Sequence, residues 1–192
     1  MPATRTDQTR EQKRGELVRA ARRLFFADGF DSTTVAAIGQ ECGVASNVVY
    51  WYFDSKDHLF VAALEDFLDL RLAAAGQSQE LDLAATLSRF VGDLMQARHL
   101  IAVVHDRSHH SEVVAEFHNR VHATYNSLLG EALTSRGVAL HDRPLVVEAL
   151  VTAIEALIMH GAPSAHAEEM ISFLVESLVS AGSTRDPGKQ GT

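Results

Sequence analysis

Residues 33–56 read TTVAAIGQECGVASNVVYWYFDSK, and this stretch decides the fold. Thr33 is a good helix cap, and it precedes a short apolar-periodic run that stops at Gly43. A second short run, from Ala45 to about Phe53, follows, and Ser55 can cap a third helix. Two short helices joined so tightly need one residue at positive φ, which a glycine supplies at little steric cost. Ile38, Cys42, Val44, Val49 and Tyr52 fall on the inner faces, with Gly39 where the two rods come closest. A side chain much larger than alanine at position 39 is expected to force them apart. The pattern predicts a helix-turn-helix, in which one helix braces a second for the major groove of DNA.

The inward set leaves Ala45, Ser46, Asn47, Val48, Tyr50 and Trp51 facing outward on the second rod. Exposed tyrosine and tryptophan are costly on a surface helix unless they touch something. Tyr52 and Phe53 belong to a core knot, whereas helical phase turns Tyr50 toward a phosphate and Trp51 toward sugar or base edges. Asn47 has the amide geometry to pair bidentately with adenine, and the Val48 methyls suit a thymine methyl. Thr33 and Thr34 lie at the start of the bracing helix. Lys56 adds a positive charge at a helix N-terminus, a natural seat for phosphate. These nine residues are the expected DNA contacts.

The chain has 192 residues, 46% of them hydrophobic, and a net charge of −8. Its acid is unevenly placed. Residues 1–58 carry eight Lys/Arg and eight Asp/Glu, leaving nine of the 17 bases and seventeen of the 25 acids to the remainder. Arg5, Arg10, Lys13, Arg14, Arg19, Arg22 and Arg23 cluster near the start. A small DNA-facing domain on an acidic body fits this asymmetry. One cysteine, Cys42, excludes an internal disulfide and a cysteine-based zinc site. No apolar run is long enough to span a bilayer and no basic-then-apolar leader opens the chain, so the expectation is a soluble cytoplasmic protein without membrane contact.

Between Gln12 and Ala181 the only prolines are Pro144 and Pro163, and valine-rich alternating strands are absent. An all-α protein follows. Residues 1–9 are expected to form a mobile arm, with a first helix ending at Gly29. Residues 1–54 are read as the DNA-binding domain, 55–182 as a helical effector and dimerisation domain, and 183–192 as a disordered tail. Leu59, Phe60, Ala63, Leu64, Phe67 and Leu68 form one stripe of the helix after Ser55. Pro144 opens a helix reaching His160, apolar nearly all round, so both of its faces need covering.

The run Thr34-Val-Ala-Ala-Ile, then Cys-Gly-Val, Val-Tyr-Trp-Tyr-Phe and Ser-Lys-Asp-His-Leu resembles the DNA-binding signature of the tetracycline-repressor (TetR) family, across about residues 17–64. Two positions depart from it. Ala45 stands where the family often has a serine cap, and Asn47-Val48 where it often has Gly-Thr or Gly-Ser. The resemblance implies an all-helical homodimer that is not an enzyme. It implies a repressor on a palindromic operator in double-stranded DNA, released by a small-molecule effector. It also implies dimerisation through the last two long helices. Leu150, Ile154, Leu157, Ile158, Met170, Leu174 and Leu178 are the interface candidates.

Six histidines crowd into residues 99–122. His105/His109 and His118/His122 are spaced i,i+4, which sets two imidazoles on one helix face. No acidic residue completes a motif such as His-Glu-x-x-His, so neither metal nor another cofactor is expected, and a His-based metalloprotein or hydrolase is the lesser alternative. The preferred reading is an effector cavity lined by Phe90, Leu94, Phe117, Val121 and Tyr125, with His99, His105, His118 and His122 as polar groups.

Overall fold

The computed structural model describes residues 7–76 and 83–184. Among them the chain is helical throughout, without a strand, and the all-α expectation holds. The order is α1 (Asp7–Ser32), α2 (Val35–Glu41), α3 (Ser46–Tyr50), α4 (Lys56–Gly76), α5 (Leu83–Gln96), α6 (Arg98–Arg107), α7 (Glu112–Thr134), α8 (Arg143–His160) and α9 (Ser164–Thr184). Residues 1–6 of the expected arm and 185–192 of the expected tail lie outside the described residues. Asp7 already belongs to α1, and Ser183 and Thr184 close α9. No helix among the described residues is long and apolar enough to cross a membrane.

The described residues pack as two compact units, residues 7–76 with 99–118 and residues 83–98 with 119–184. The helix-turn-helix therefore shares its unit with α4 and α6, a wider grouping than residues 1–54.

In the first unit α1 and α4 form the seam. Leu17, Ala20, Ala21 and Phe25 of α1, with Leu59 and Phe60 of α4, are wholly excluded from solvent. Gly29 interrupts α1 with φ 81 and ψ 170, a backbone open chiefly to glycine, and so turns Phe30 back toward α4. Phe60 meets Phe25 and Phe30 edge-on at 5.1 and 4.8 Å between ring centroids. Each buried phenylalanine contributes about 1.5–3 kcal/mol through lost apolar exposure. Val61 and Ala62 are buried as well, so α4 is covered over a broader face than the predicted stripe.

In the second unit α5, α8 and α9 pack on one another. Leu83, Leu87 and Val91 of α5 and Ala167, Ile171 and Val175 of α9 supply inward rows at helical spacing. Pro144 sits in the first turn of α8, where its missing N–H breaks no bond. Gly161 ends α8 in the left-handed conformation, φ 64, with its N–H donated to the Ile158 carbonyl at 3.1 Å.

Of the dimer candidates, those on α8 turn into their own subunit. Leu150, Ile154, Leu157 and Ile158 are buried within the subunit, and Met170, Leu174 and Leu178 are half-buried. The outward apolar groups are instead Leu145 (62% exposed), Met159 (49%) and Phe173 (65%). An all-apolar helix has no sequence signal that tells its inner from its outer face.

Candidate nucleic-acid interface

Both short rods are positioned by their ends. Thr34, not Thr33, caps α2: its Oγ1 accepts the Ala37 N–H at 3.0 Å. Thr33 is 2% exposed and donates its hydroxyl to the Gly29 carbonyl at 2.8 Å, so its side chain braces the end of α1 and is buried, in contrast to the DNA contact expected of it. The capping role expected of Thr33 falls to Thr34 because the break at Gly29 provides a buried carbonyl that takes the Thr33 hydroxyl.

The turn runs through Gly43 at φ 68, as its glycine predicts. Val44 N–H closes it on the Gly39 carbonyl at 2.9 Å. At Gly39 the approach is tighter than expected. A Cβ there would sit 2.8 Å from the Val44 carbonyl oxygen and 3.3 Å from Val49 Cγ2, so even alanine does not fit. Ile38 and Val49 lock the rods together, 0% and 1% exposed. Ala45 opens α3 without a side-chain cap, consistent with the absent serine.

This bracing leaves one face of α3 in solvent. Ala45, Ser46 and Asn47 are exposed and Val48 is half-buried. Tyr50 is 50% and Trp51 71% exposed, whereas Phe53 is buried. Trp51 stands at the C-cap of α3 beside half-exposed Tyr50, so two large aromatic side chains meet solvent side by side.

The cations are less available than the charge pattern suggests. Lys13 pairs with Glu16 at 2.5 Å and reaches the Cys42 carbonyl at 3.5 Å, tying α1 to the turn. Arg22 meets Asp66 at 3.1 Å, Arg23 binds Glu41, and Arg14 lies over the Phe53 ring at 5.0 Å. Lys56 is turned inward, with Nζ 4.1 Å from the Phe30 ring centroid. Burial holds its pKa below the usual lysine value. Burial likewise pushes the Cys42 thiol up, away from reactivity.

Ser55 caps α4 as expected, accepting the His58 N–H at 3.3 Å. Beside it lies an arrangement that the sequence reading missed. Arg107 of α6 donates two hydrogen bonds to the Asp57 carboxylate, at 2.8 and 2.6 Å, and its guanidinium lies 4.6 Å from the Phe30 centroid. Fifty positions separate the partners, so no local pattern could have joined them.

The expected effector residues fall into separate groups. In the second unit Phe90 and Tyr125 meet at 4.6 Å, with burial pushing the Tyr125 hydroxyl up to about 12. In the first unit His105 meets His118 at 4.9 Å while Phe117 is buried and His99 exposed. Leu94 and Val121 are half-buried. His105 pairs across helices with His118, whereas the expected partner His109 is exposed.

Residues 17–63 match the model of the tetR family of bacterial regulatory proteins. The chain is 35% identical over 81 residues to the probable HTH-type transcriptional regulator ArpR of Pseudomonas putida, spanning 41% of this chain and 39% of that protein. It is 32% identical over 78 residues to the HTH-type transcriptional regulator TtgR of the same species, spanning 40% and 37%. The chain thus spans about two-fifths of the length of these curated relatives. Among solved structures, a transcriptional regulator from Rhodococcus superposes with a TM-score of 0.73 at 19% identity, covering 90% of this chain and 99% of that one. A regulator from Saccharomonospora viridis, solved with choline, gives 0.72 at 17% identity, covering 87% and 97%. The fold is shared with these solved structures, and the sequence match falls on the residues that build and brace α2 and α3: residues 17–63 of this chain are similar to the N-terminal domain of the tetR family of bacterial regulatory proteins.

Proposed function

We propose that the protein is a homodimeric DNA-binding transcriptional regulator, a repressor released from a palindromic operator by a small effector, and not an enzyme. The observation that carries this reading is the exposed face of residues 45–51, held rigid by the Gly39 contact. One such helix reads only a few base pairs. Two copies about 34–36 Å apart, one turn of B-DNA, read a useful site.

The DNA contacts in this reading are Thr34, Ala45, Ser46, Asn47, Val48, Tyr50 and Trp51. Operators recovered by selection from genomic fragments test it. Binding to them should weaken steeply with salt, because each phosphate neutralised releases counterions with a slope of about −0.9 per contact. Affinity indifferent to salt would overturn the reading. Asn47→Ala should erase about 1–3 kcal/mol of discrimination at one adenine. An equal loss on every operator variant would reduce Asn47 to a backbone contact.

The dimer is supported by a stripe on α8, Leu145, Ala149, Thr152, Ala156 and Met159, spaced alternately four and three residues apart, together with exposed Phe173 on α9. All of the stripe is exposed except Ala149, which is half-buried. Small Ala149, Thr152 and Ala156 at its centre permit close helix approach. A Leu145→Glu/Phe173→Glu chain should sediment as a monomer and lose operator affinity at least tenfold while keeping its helical spectrum. A dimer that survives both charges would move the interface elsewhere.

A further inference from the structure

We propose that Arg14, with Arg10 one turn before it on α1, clamps the DNA phosphates that flank the bases read by α3, and that the Phe53 ring is the platform holding the Arg14 guanidinium in place. The proposal rests on the regulator reading above and adds a second element, α1, to the DNA contacts.

Helical phase puts both arginines on the inward side of α1. Arg10, Arg14, Leu17, Ala21 and Phe25 follow one another at three- or four-residue spacing, which makes a single stripe. Leu17, Ala21 and Phe25 are wholly excluded from solvent, whereas Arg10 and Arg14 are exposed. The stripe therefore runs past the edge of the core and changes there from apolar to cationic.

That cationic end lies against the helix-turn-helix. Lys13 reaches the Cys42 carbonyl, ahead of α3, at 3.5 Å. Arg14, the next residue, sets its Cζ 5.0 Å from the centroid of the Phe53 ring, just beyond α3. Adjacent residues of α1 thus touch the chain on both sides of the reading rod. Trp51, 71% exposed, closes α3 at its C-cap. Phe53 follows it by two positions, and two residues span at most about 7 Å. A duplex that touches Trp51 brings its backbone within reach of Arg14.

The residue type suits a phosphate. A guanidinium stays charged, stacks on an aromatic face, and keeps along its edge a fork of N–H donors that matches two phosphate oxygens. Lys13, Arg22 and Arg23 are paired with the carboxylates of Glu16, Asp66 and Glu41. Arg14 meets a neutral ring, which orients the charge without cancelling it.

The test uses the full chain on the selected operator, with affinity followed by fluorescence anisotropy over a range of salt. Arg14→Gln should make the slope of log affinity against log salt shallower by about 0.9 per bound subunit. Over the decade of salt below about 1 M, that slope amounts to about an eightfold loss of affinity at about 0.1 M. The loss should be the same on every base variant of the operator, because a phosphate contact carries no sequence information. Arg10→Gln should act in the same direction, and Arg14→Lys, which keeps the charge, should keep the slope. Arg120→Gln removes the same charge from an exposed position of the second unit and should change nothing. An equal loss in Arg120→Gln would reduce the effect to the general field of the protein. A wild-type slope in Arg14→Gln, or a slope lost equally in Arg14→Lys, would leave the Phe53 contact as packing alone. Operators carrying one neutral methylphosphonate, scanned along each strand, test the clamp even if a variant fails to fold. One flanking position should weaken the wild type and have no further effect on Arg14→Gln, whereas the absence of any such position would overturn the proposal. Unaltered protein that binds no operator would overturn the regulator reading instead.

Discussion

Gly39→Ala is expected to destabilise the first unit by about 1–3 kcal/mol, the usual cost of overpacking a close contact. The substitution looks mild, since alanine in a helix is favoured over glycine by about 1 kcal/mol. The contact reverses the sign. The new methyl would lie 2.8 Å from the Val44 carbonyl oxygen, which is backbone and cannot swing aside. Moving it opens the turn that Val44 N–H closes on Gly39. Operator affinity should fall at least tenfold, because a tilted α3 no longer presents residues 45–51 at one angle. Urea denaturation and fluorescence anisotropy on labelled operator measure the two effects. Wild-type values in both would show that the rods can part without consequence. Gly43→Ala is a useful contrast: its Cβ meets open space, and only the positive φ of 68 opposes it, at a cost of about 1 kcal/mol.

The second large effect is at Arg107. Arg107→Ala leaves the Asp57 carboxylate, 14% exposed, without its bidentate donor. Loss of a charged hydrogen-bond partner costs about 1–3 kcal/mol, and the lower half of that range applies because Arg107 is itself 32% exposed. The pH dependence has a definite sign. Burial acts to raise the Asp57 pKa, but hydrogen bonds from Arg107 and Ser111, with the Arg107 charge, outweigh it and hold the carboxyl below its ordinary value. A pKa depressed on folding stabilises above the unfolded value of about 3.9, and that contribution is lost as pH falls through the folded pKa. The destabilisation by Arg107→Ala should therefore be full at pH 7 and shrink below about pH 4. A double-mutant cycle with Asp57→Asn, followed by urea denaturation at both pH values, checks this. Zero coupling at pH 7, or the same coupling at both, would remove the pair from the account of how α4 is held.

Legibility followed the range of the forces involved. The turn at Gly43, the cap at Ser55, the uncapped Ala45, the helix stop at Gly161 and the outward phase of Tyr50 and Trp51 all depend on neighbours within about one turn, and each was readable. The move of the α2 cap from Thr33 to Thr34 was not. A one-residue shift in the capping threonine depends on which hydroxyl finds the Gly29 carbonyl, and that follows from how α1 breaks. Lys56 and the arginines of α1 were read by charge alone. The Phe30 ring, Asp66 and Glu41 that take them up come from elsewhere in the chain.

By itself, then, the amino-acid order determined an all-helical protein, the glycine-hinged rods and the face that they present, because periodicity, capping and φ preference are properties of short segments. Only tertiary packing decided which side of the apolar α8 turns outward, that Arg107 reaches Asp57, and that His105 pairs with His118 and not with His109. Those outcomes arise when distant segments compete to bury the same surface and satisfy the same polar groups, and no local spacing records who wins.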